Sequence, residues 1–228
     1  MTAVKISKNS AAATMTQLTQ HPEQNVIRLQ LRKNAALQAL EAEDFAEFEQ
    51  LLEITDGQKG DFLLMQGVRK MEQYFILDGT LKRVVANGKG KEMILRFAAE
   101  GDMETSYAAW RLGKPTPYSI VCVTKARVAR LPLPQWAGFI ERRPKLAKAF
   151  EFAVMRGMSE IMAHTITLHL LDAPGRVHRF TRKHPELRDK VPQKELASYL
   201  NLSAETLSRL IHKRKGAAKA AAEETSPD

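Results

Sequence analysis

The chain has 228 residues, 44% of them apolar and 27% charged, with a formal net charge of +9 at pH 7. Those proportions are those of a soluble globular protein of one large or two modest domains, and no run approaches the roughly 18 apolar residues of a membrane span. Cys122 is the only cysteine, which excludes an intrachain disulfide and any cluster held by four thiolates of one chain. Residues 1–20 are polar, lack the apolar core of a secretory signal, and read as the disordered tail of a cytoplasmic protein. Phe45, Phe48, Leu51 and Leu52 fall at helical spacing and predict a lead-in helix over roughly Ala42–Ile54. From about Thr55 to Pro134 the pattern changes, and eight of the twelve glycines fall there. Between them FLLMQ, YFIL, LKRVVA, EMILRF and YSIVCV have strand composition. Many short strands at turn-sized intervals predict a compact antiparallel roll or barrel. Cys122 lies in the last of these runs and reads as a buried packing residue.

Helical periodicity returns after Pro144 and holds to Asp172. Phe150, Val154, Gly157, Ile161, His164 and Leu168 alternate by four and three, which is a heptad seam. Its length and regularity suggest pairing with a second copy of the chain, with His164 as a packed core residue. Ala173, Pro174 and Gly175 then break the helix and make a natural hinge. Another short helix is expected over Arg176–His184.

The stretch VPQKELASYLNLSAETLSRLIHKR, Val191–Arg214, has the spacing of a helix-turn-helix. Pro192 opens the first helix, and Leu196, Ala197 and Leu200 share its apolar face. Asn201 sits where the chain must turn, a place that favours a residue tolerant of left-handed backbone. Ser203 is the expected N-cap of a second helix whose apolar face is Leu207, Leu210 and Ile211. The face left open carries Ala204, Glu205, Ser208, Arg209, His212 and Lys213, side chains suited to base edges and phosphates.

Charge supports that reading. Between Gly175 and Ala220 there are twelve Lys or Arg against four Asp or Glu, so nearly all of the chain's +9 surplus lies beside the hairpin. That is the footprint of a phosphate-binding surface. A ligand-binding module whose hairpin contacts protein is the alternative, and the basic hairpin argues against it. Enzyme signatures are missing: there is no glycine-rich phosphate loop, no paired histidines at metal spacing and no nucleophile elbow. His178, His184 and Asp189 fall in the basic, DNA-facing region instead.

A roll, a long helix and a C-terminal helix-turn-helix together resemble the Crp/Fnr family of bacterial transcription regulators. The resemblance runs from about Gly60 to Arg214. It rests on Gly60–Asp61, Gln66–Gly67, YFILDGTLKR at 74–83, GKEMILRF at 90–97 and Gly101–Asp102, in that order and spacing. It implies an α+β fold: a jelly-roll-like antiparallel β-roll over 21–143, a dimerisation helix over 144–172 and a winged helix-turn-helix over 173–215. A disordered tail over 216–228 follows. Members that bind cyclic nucleotides carry a Gly-Glu pair for the ribose and an Arg-Ser or Arg-Thr pair for the cyclic phosphate. Here those places read Thr105–Ser106 and Tyr118–Ser119. A buried phosphate needs a charge-assisted partner, which Tyr118 does not supply. The expected effector is therefore not cyclic AMP and its identity is open. One cysteine excludes the family's iron–sulfur sensor, and no histidine lies between His21 and His164 to hold haem in the strands of the roll. No cofactor and no metal are expected.

Ala204–Arg209 resembles the Fnr-like recognition pattern. It implies base contacts from Glu205, Ser208 and Arg209, with Arg209 donating to a guanine and Glu205 accepting from a cytosine. Arg176, Lys194, Ser203, Lys213, Arg214 and Lys215 are expected to contact phosphates, which position without specifying. The implied target is an inverted repeat near TTGAT…ATCAA with half-sites roughly 34 Å apart. The partners are duplex DNA, RNA polymerase and a second copy of the chain, with no membrane.

Overall fold

A computed structural model describes residues 15–187 and 190–212. It divides into two units, Met1–Ile161 and Met162–Asp228. The division falls inside the long helix, after Ile161, and not at the Ala173–Gly175 break that the sequence suggests as a hinge.

In chain order the first unit holds β1 (Met15–Gln17), α1 (Gln24–Leu31), α2 (Ala42–Leu51), β2 (Glu53–Gly57), β3 (Phe62–Leu64), β4 (Glu72–Asp78) and β5 (Thr80–Ala86). It continues with β6 (Glu92–Ala99), β7 (Met103–Thr105), α3 (Tyr107–Arg111), β8 (Ser119–Cys122), β9 (Ala126–Pro132) and α4 (Leu133–Glu141). The strands form two antiparallel sheets, ordered β1-β2-β9-β4-β7 and β3-β8-β5-β6. Short strands joined by glycine turns close into a roll because each sheet buries one apolar face against the other. The turn between β4 and β5 shows why a glycine is needed: Gly79 has φ +85°, and a Cβ there would lie 2.7 Å from Ala126 Cα and run into the Lys125 carbonyl.

The last part of the polar N-terminal stretch departs from its sequence reading, while residues 1–14 lie outside the described residues. Residues 15–20 are built into the roll: β1 pairs with β2, Leu18 is buried, and its N–H donates to the Leu52 carbonyl at 2.9 Å. Backbone pairing needs no apolar run, so hydropathy gives no sign of it. The lead-in helix also ends earlier than expected, at Leu51, because Glu53 and the residues after it pair with β9.

A cluster of rings anchors the core. Phe48, Phe75, Trp136, Phe139 and Phe150 meet at centroid distances of 5.2 to 6.0 Å, with Trp136–Phe150 at 5.2 Å. Cys122 is buried as expected, so close to Gly57 that a Cβ there would stand 2.7 Å from its Sγ. Burial raises the thiol pKa to about 12, with a lesser push from Asp61.

The helix α5 (Pro144–Leu170) runs on into the second unit, which also holds α6 (Ala173–Lys183), α7 (Gln193–Tyr199) and α8, residues 204–212. Asp172 caps α6 by accepting the Gly175 N–H at 2.9 Å. All strands among the described residues lie in the first unit. The wing expected after the family resemblance is therefore not found among the described residues of the second.

Gly79→Ala is expected to destabilise the roll by about 2 kcal/mol or more, since strain and overlap act together. A urea titration of the variant checks it: a midpoint equal to that of the parent contradicts the tight-turn argument.

Candidate nucleic-acid interface

The hairpin Gln193–212 is assembled by local rules. Leu196, Ala197 and Leu200 of α7 are buried together with Leu207 of α8. Ala197 is small enough for the chain to return over it, and its carbonyl accepts the Leu202 N–H at 2.9 Å. Asn201 takes φ +52°, the left-handed turn read from its position. Ser203 Oγ accepts the Thr206 N–H at 3.1 Å and donates to Thr206 Oγ1 at 2.9 Å, so this hydroxyl is occupied as the N-cap of α8. Pro192 stands at the N-cap of α7, one place earlier than the first turn.

With Leu207 held inward, the helix presents Ala204, Glu205, Arg209 and His212 as exposed residues, and Ser208 half-exposed beside them. The three residues expected to touch bases thus share one open face. Lys194 is exposed on α7, and Arg179, Arg182 and Lys183 are exposed on α6. Lys213, Arg214 and Lys215 lie outside the described residues.

Arg176 has a different position from the one expected. Its Nη1 donates to the carbonyls of Leu200 at 2.8 Å and Asn201 at 3.3 Å, while Nε donates to Leu171 at 3.0 Å. The guanidinium ties α6 to the turn of the hairpin and satisfies carbonyls at two helix ends. The basic-charge count does not separate such a clamp from a phosphate ligand.

The dimer seam also needs correcting. Phe150 is buried in the ring cluster, Val154 packs on the same core, and Gly157 is buried beneath Arg96 Nη1, 2.9 Å from where a Cβ would stand. His164 is buried in the second unit, stacked on Tyr199 at 3.7 Å with rings 5° from parallel. Ile161 and Leu168 are half-buried. The unpartnered stripe is instead Phe152, Met155, Met158, Met162, Ile166 and Leu170, all exposed and spaced by three or four. A long helix with two apolar stripes satisfies the same periodicity twice, and packing within the chain takes the stripe containing Phe150.

His164 is neutral at neutral pH. Burial lowers its pKa to about 4, with smaller contributions from His184 and Lys183, and a hydrogen bond to the Tyr199 backbone opposes them. A cavity of ≈ 20 Å³ beside it, lined by Thr167, Arg176, Phe180 and His184 among others, has room for about one water.

Inside the roll, the residues at the expected nucleotide positions are hydrogen-bonded within the chain. Tyr118 donates to the Thr105 carbonyl at 2.6 Å, Ser106 to Thr116 Oγ1 at 2.9 Å, and Ser119 Oγ accepts the Gln66 N–H at 2.9 Å. The charged group nearest to them, Arg83 with Glu104 and Arg96, went unread in the sequence. Its only signal there is a charge placed inside apolar runs. No three His, Cys, Asp or Glu among the described residues are grouped to hold a metal ion. No described helix is long and apolar enough to cross a membrane.

Residues 57–143 match the family model of the cyclic nucleotide-binding domain. The chain is 25% identical over 194 residues to the nitrogen fixation regulation protein FixK of Bradyrhizobium diazoefficiens, a match covering 80% of each. It is 21% identical over 159 residues to the cAMP-activated global transcriptional regulator CRP of Salmonella typhimurium, covering 65% of this chain and 76% of that one. The c-di-GMP-responsive global regulator CLP of Xanthomonas campestris has the same fold, with a TM-score of 0.64 at 13% identity over 78% of this chain and 93% of the other.

Because the folded chain holds His164 neutral, its contribution to stability is complete above the unfolded pKa near 6.5 and is lost as pH falls toward about 4. His164→Gln is expected to flatten that decline by up to about 3 kcal/mol. Denaturant titrations at pH 7, 5.5 and 4.5 measure it, and parallel curves for parent and variant contradict it.

Proposed function

We propose, from a cyclic nucleotide-binding domain homologous to those of FixK and CRP regulators, that the chain is a homodimeric regulator of transcription that reads duplex DNA with α8. The observation that carries this reading is the Ser203-capped helix with Glu205 and Arg209 exposed on one face and Leu207 buried on the other. That arrangement suits insertion into a major groove, with Arg209 bidentate on a guanine, Glu205 on a cytosine amino group and Ser208 at a thymine. Exposed Lys194, together with Lys213, Arg214 and Lys215, supplies phosphate contacts. Arg176 braces the turn before the helix and Ser203 caps its first turn, through bonds made within the chain.

The second copy of the chain covers the stripe from Phe152 to Leu170. Six large apolar side chains exposed in a row are costly in water, and an identical helix across a two-fold axis is the partner that buries them all. A two-fold dimer reads an inverted repeat, which for this recognition face is of the TTGAT…ATCAA type with half-sites roughly 34 Å apart. The bound dimer then presents itself to RNA polymerase. Cyclic AMP is not the effector, because Tyr118 stands where a guanidinium is needed.

Arg209→Ala is expected to cost about 1–3 kcal/mol at the best site and to blur one base position in each half-site. Selection from a random duplex pool at fixed salt reads both, and an unchanged preferred sequence refutes this placement of α8. Met155→Glu combined with Met162→Glu is expected to leave a folded monomer, visible by sedimentation. A dimer that persists in that variant rejects the Phe152–Leu170 stripe as the interface.

A further inference from the structure

Arg83 and Arg96 are direct cross-strand partners on β5 and β6, at the point where the register of that pair becomes irregular. Like charges set opposite one another in a sheet repel. Here both are largely out of water, with side chains 9% and 14% exposed. Glu104 makes the pair tenable. It comes from β7 in the other sheet, its side chain is 1% exposed, and its carboxylate enters between the two guanidinium groups. Oε2 accepts from Arg83 Nε at 2.9 Å and Nη2 at 2.5 Å, and Oε1 faces Arg96 Nε at 3.3 Å. The Tyr118 ring closes the group from another side, 4.2 Å from Arg83 Cζ. Burial opposes the charge on Arg83, but Glu104 and Tyr118 outweigh it and leave the guanidinium pKa above its ordinary value.

The fit is incomplete. Glu104 Oε1 and Arg96 Nε are shielded from water, yet neither makes a hydrogen bond. Replacing such an ion group by packed apolar residues is commonly neutral or stabilising, so stability alone does not account for it. We propose that this is an anion site inside the roll which the chain fills with its own Glu104 carboxylate, and that its chemistry is that of a small oxyanion, carboxylate or phosphate. Arg96 extends the site to α5: its Nη1 occupies the space a Cβ at Gly157 would need, and its Nη2 lies 4.0 Å from Glu160. The occupant of the site is thereby felt by the long helix.

Full-length Glu104→Ala vacates the site and leaves both arginines. Its thermal midpoint is measured in sodium acetate, inorganic phosphate and sodium chloride at matched ionic strength, beside the parent. Acetate or phosphate is expected to raise the variant's midpoint by about 5 °C over chloride, while the parent responds alike to all three. A gain with acetate alone identifies a planar carboxylate site, and one with phosphate a tetrahedral site. If the variant does not fold in chloride, recovery on refolding in each salt is the readout, and recovery confined to the oxyanions supports the site. Adding Arg96→Gln to the variant is expected to abolish the response. Equal behaviour of the variant in all three salts, folded or not, overturns the proposal. So does an equal gain in the parent, or a response that survives loss of Arg96. None of these outcomes involves DNA, so the site stands or falls independently of the regulatory reading.

Discussion

Phe150 packed on Trp136 settles more than its own corner of the core. Together with Phe48, Phe75 and Phe139 it binds the first turns of α5 to the roll, and so fixes the rotation of that helix about its axis. Once Phe150 points inward, Gly157 must follow seven residues on, and Phe152, Met155 and Met158 must point out. Burying a ring of this size removes a large apolar area from water, more than a heptad preference at the surface can recover. The free stripe is therefore a consequence of core packing and not of the helix's own periodicity.

A second constraint is electrostatic. The roll joins its two sheets through apolar contact nearly everywhere, but between β5, β6 and β7 it does so through Arg83, Arg96 and Glu104. Buried ion groups of this kind add little net stability, because the cost of desolvation consumes most of the attraction. Their geometry is strict in this chain. Arg96 crosses α5 only where Gly157 leaves room, so a glycine inside a helix, unfavourable by itself, is matched to a side chain from another element.

The hairpin in the second unit follows local rules and was legible. Asn201 in the left-handed region, Ser203 as a cap, and Leu196, Ala197, Leu200 and Leu207 as the buried set all occur where spacing and residue chemistry place them. The strands FLLMQ, YFIL, LKRVVA, EMILRF and YSIVCV also correspond to β3, β4, β5, β6 and β8. The central strand β9 was harder to see, since Arg127 and Arg130 interrupt it and pair outward with Asp56 and Glu72. β1 was invisible because its place depends on a backbone edge offered by β2.

The sequence by itself determined the strand segments of the roll, the long helix, and the second helix of the hairpin with its open face, because each depends on residues within one turn or one strand of each other. Tertiary structure alone decided which stripe of α5 is free, that Arg176 braces the hairpin through the carbonyls of Leu171 and Leu200, and that Glu104 lies between two arginines. The reason is range. An arginine that clamps a carbonyl, one that holds a buried carboxylate and one that faces solvent are identical in composition and charge. They differ only in what the folded chain brings within about 3 Å of them.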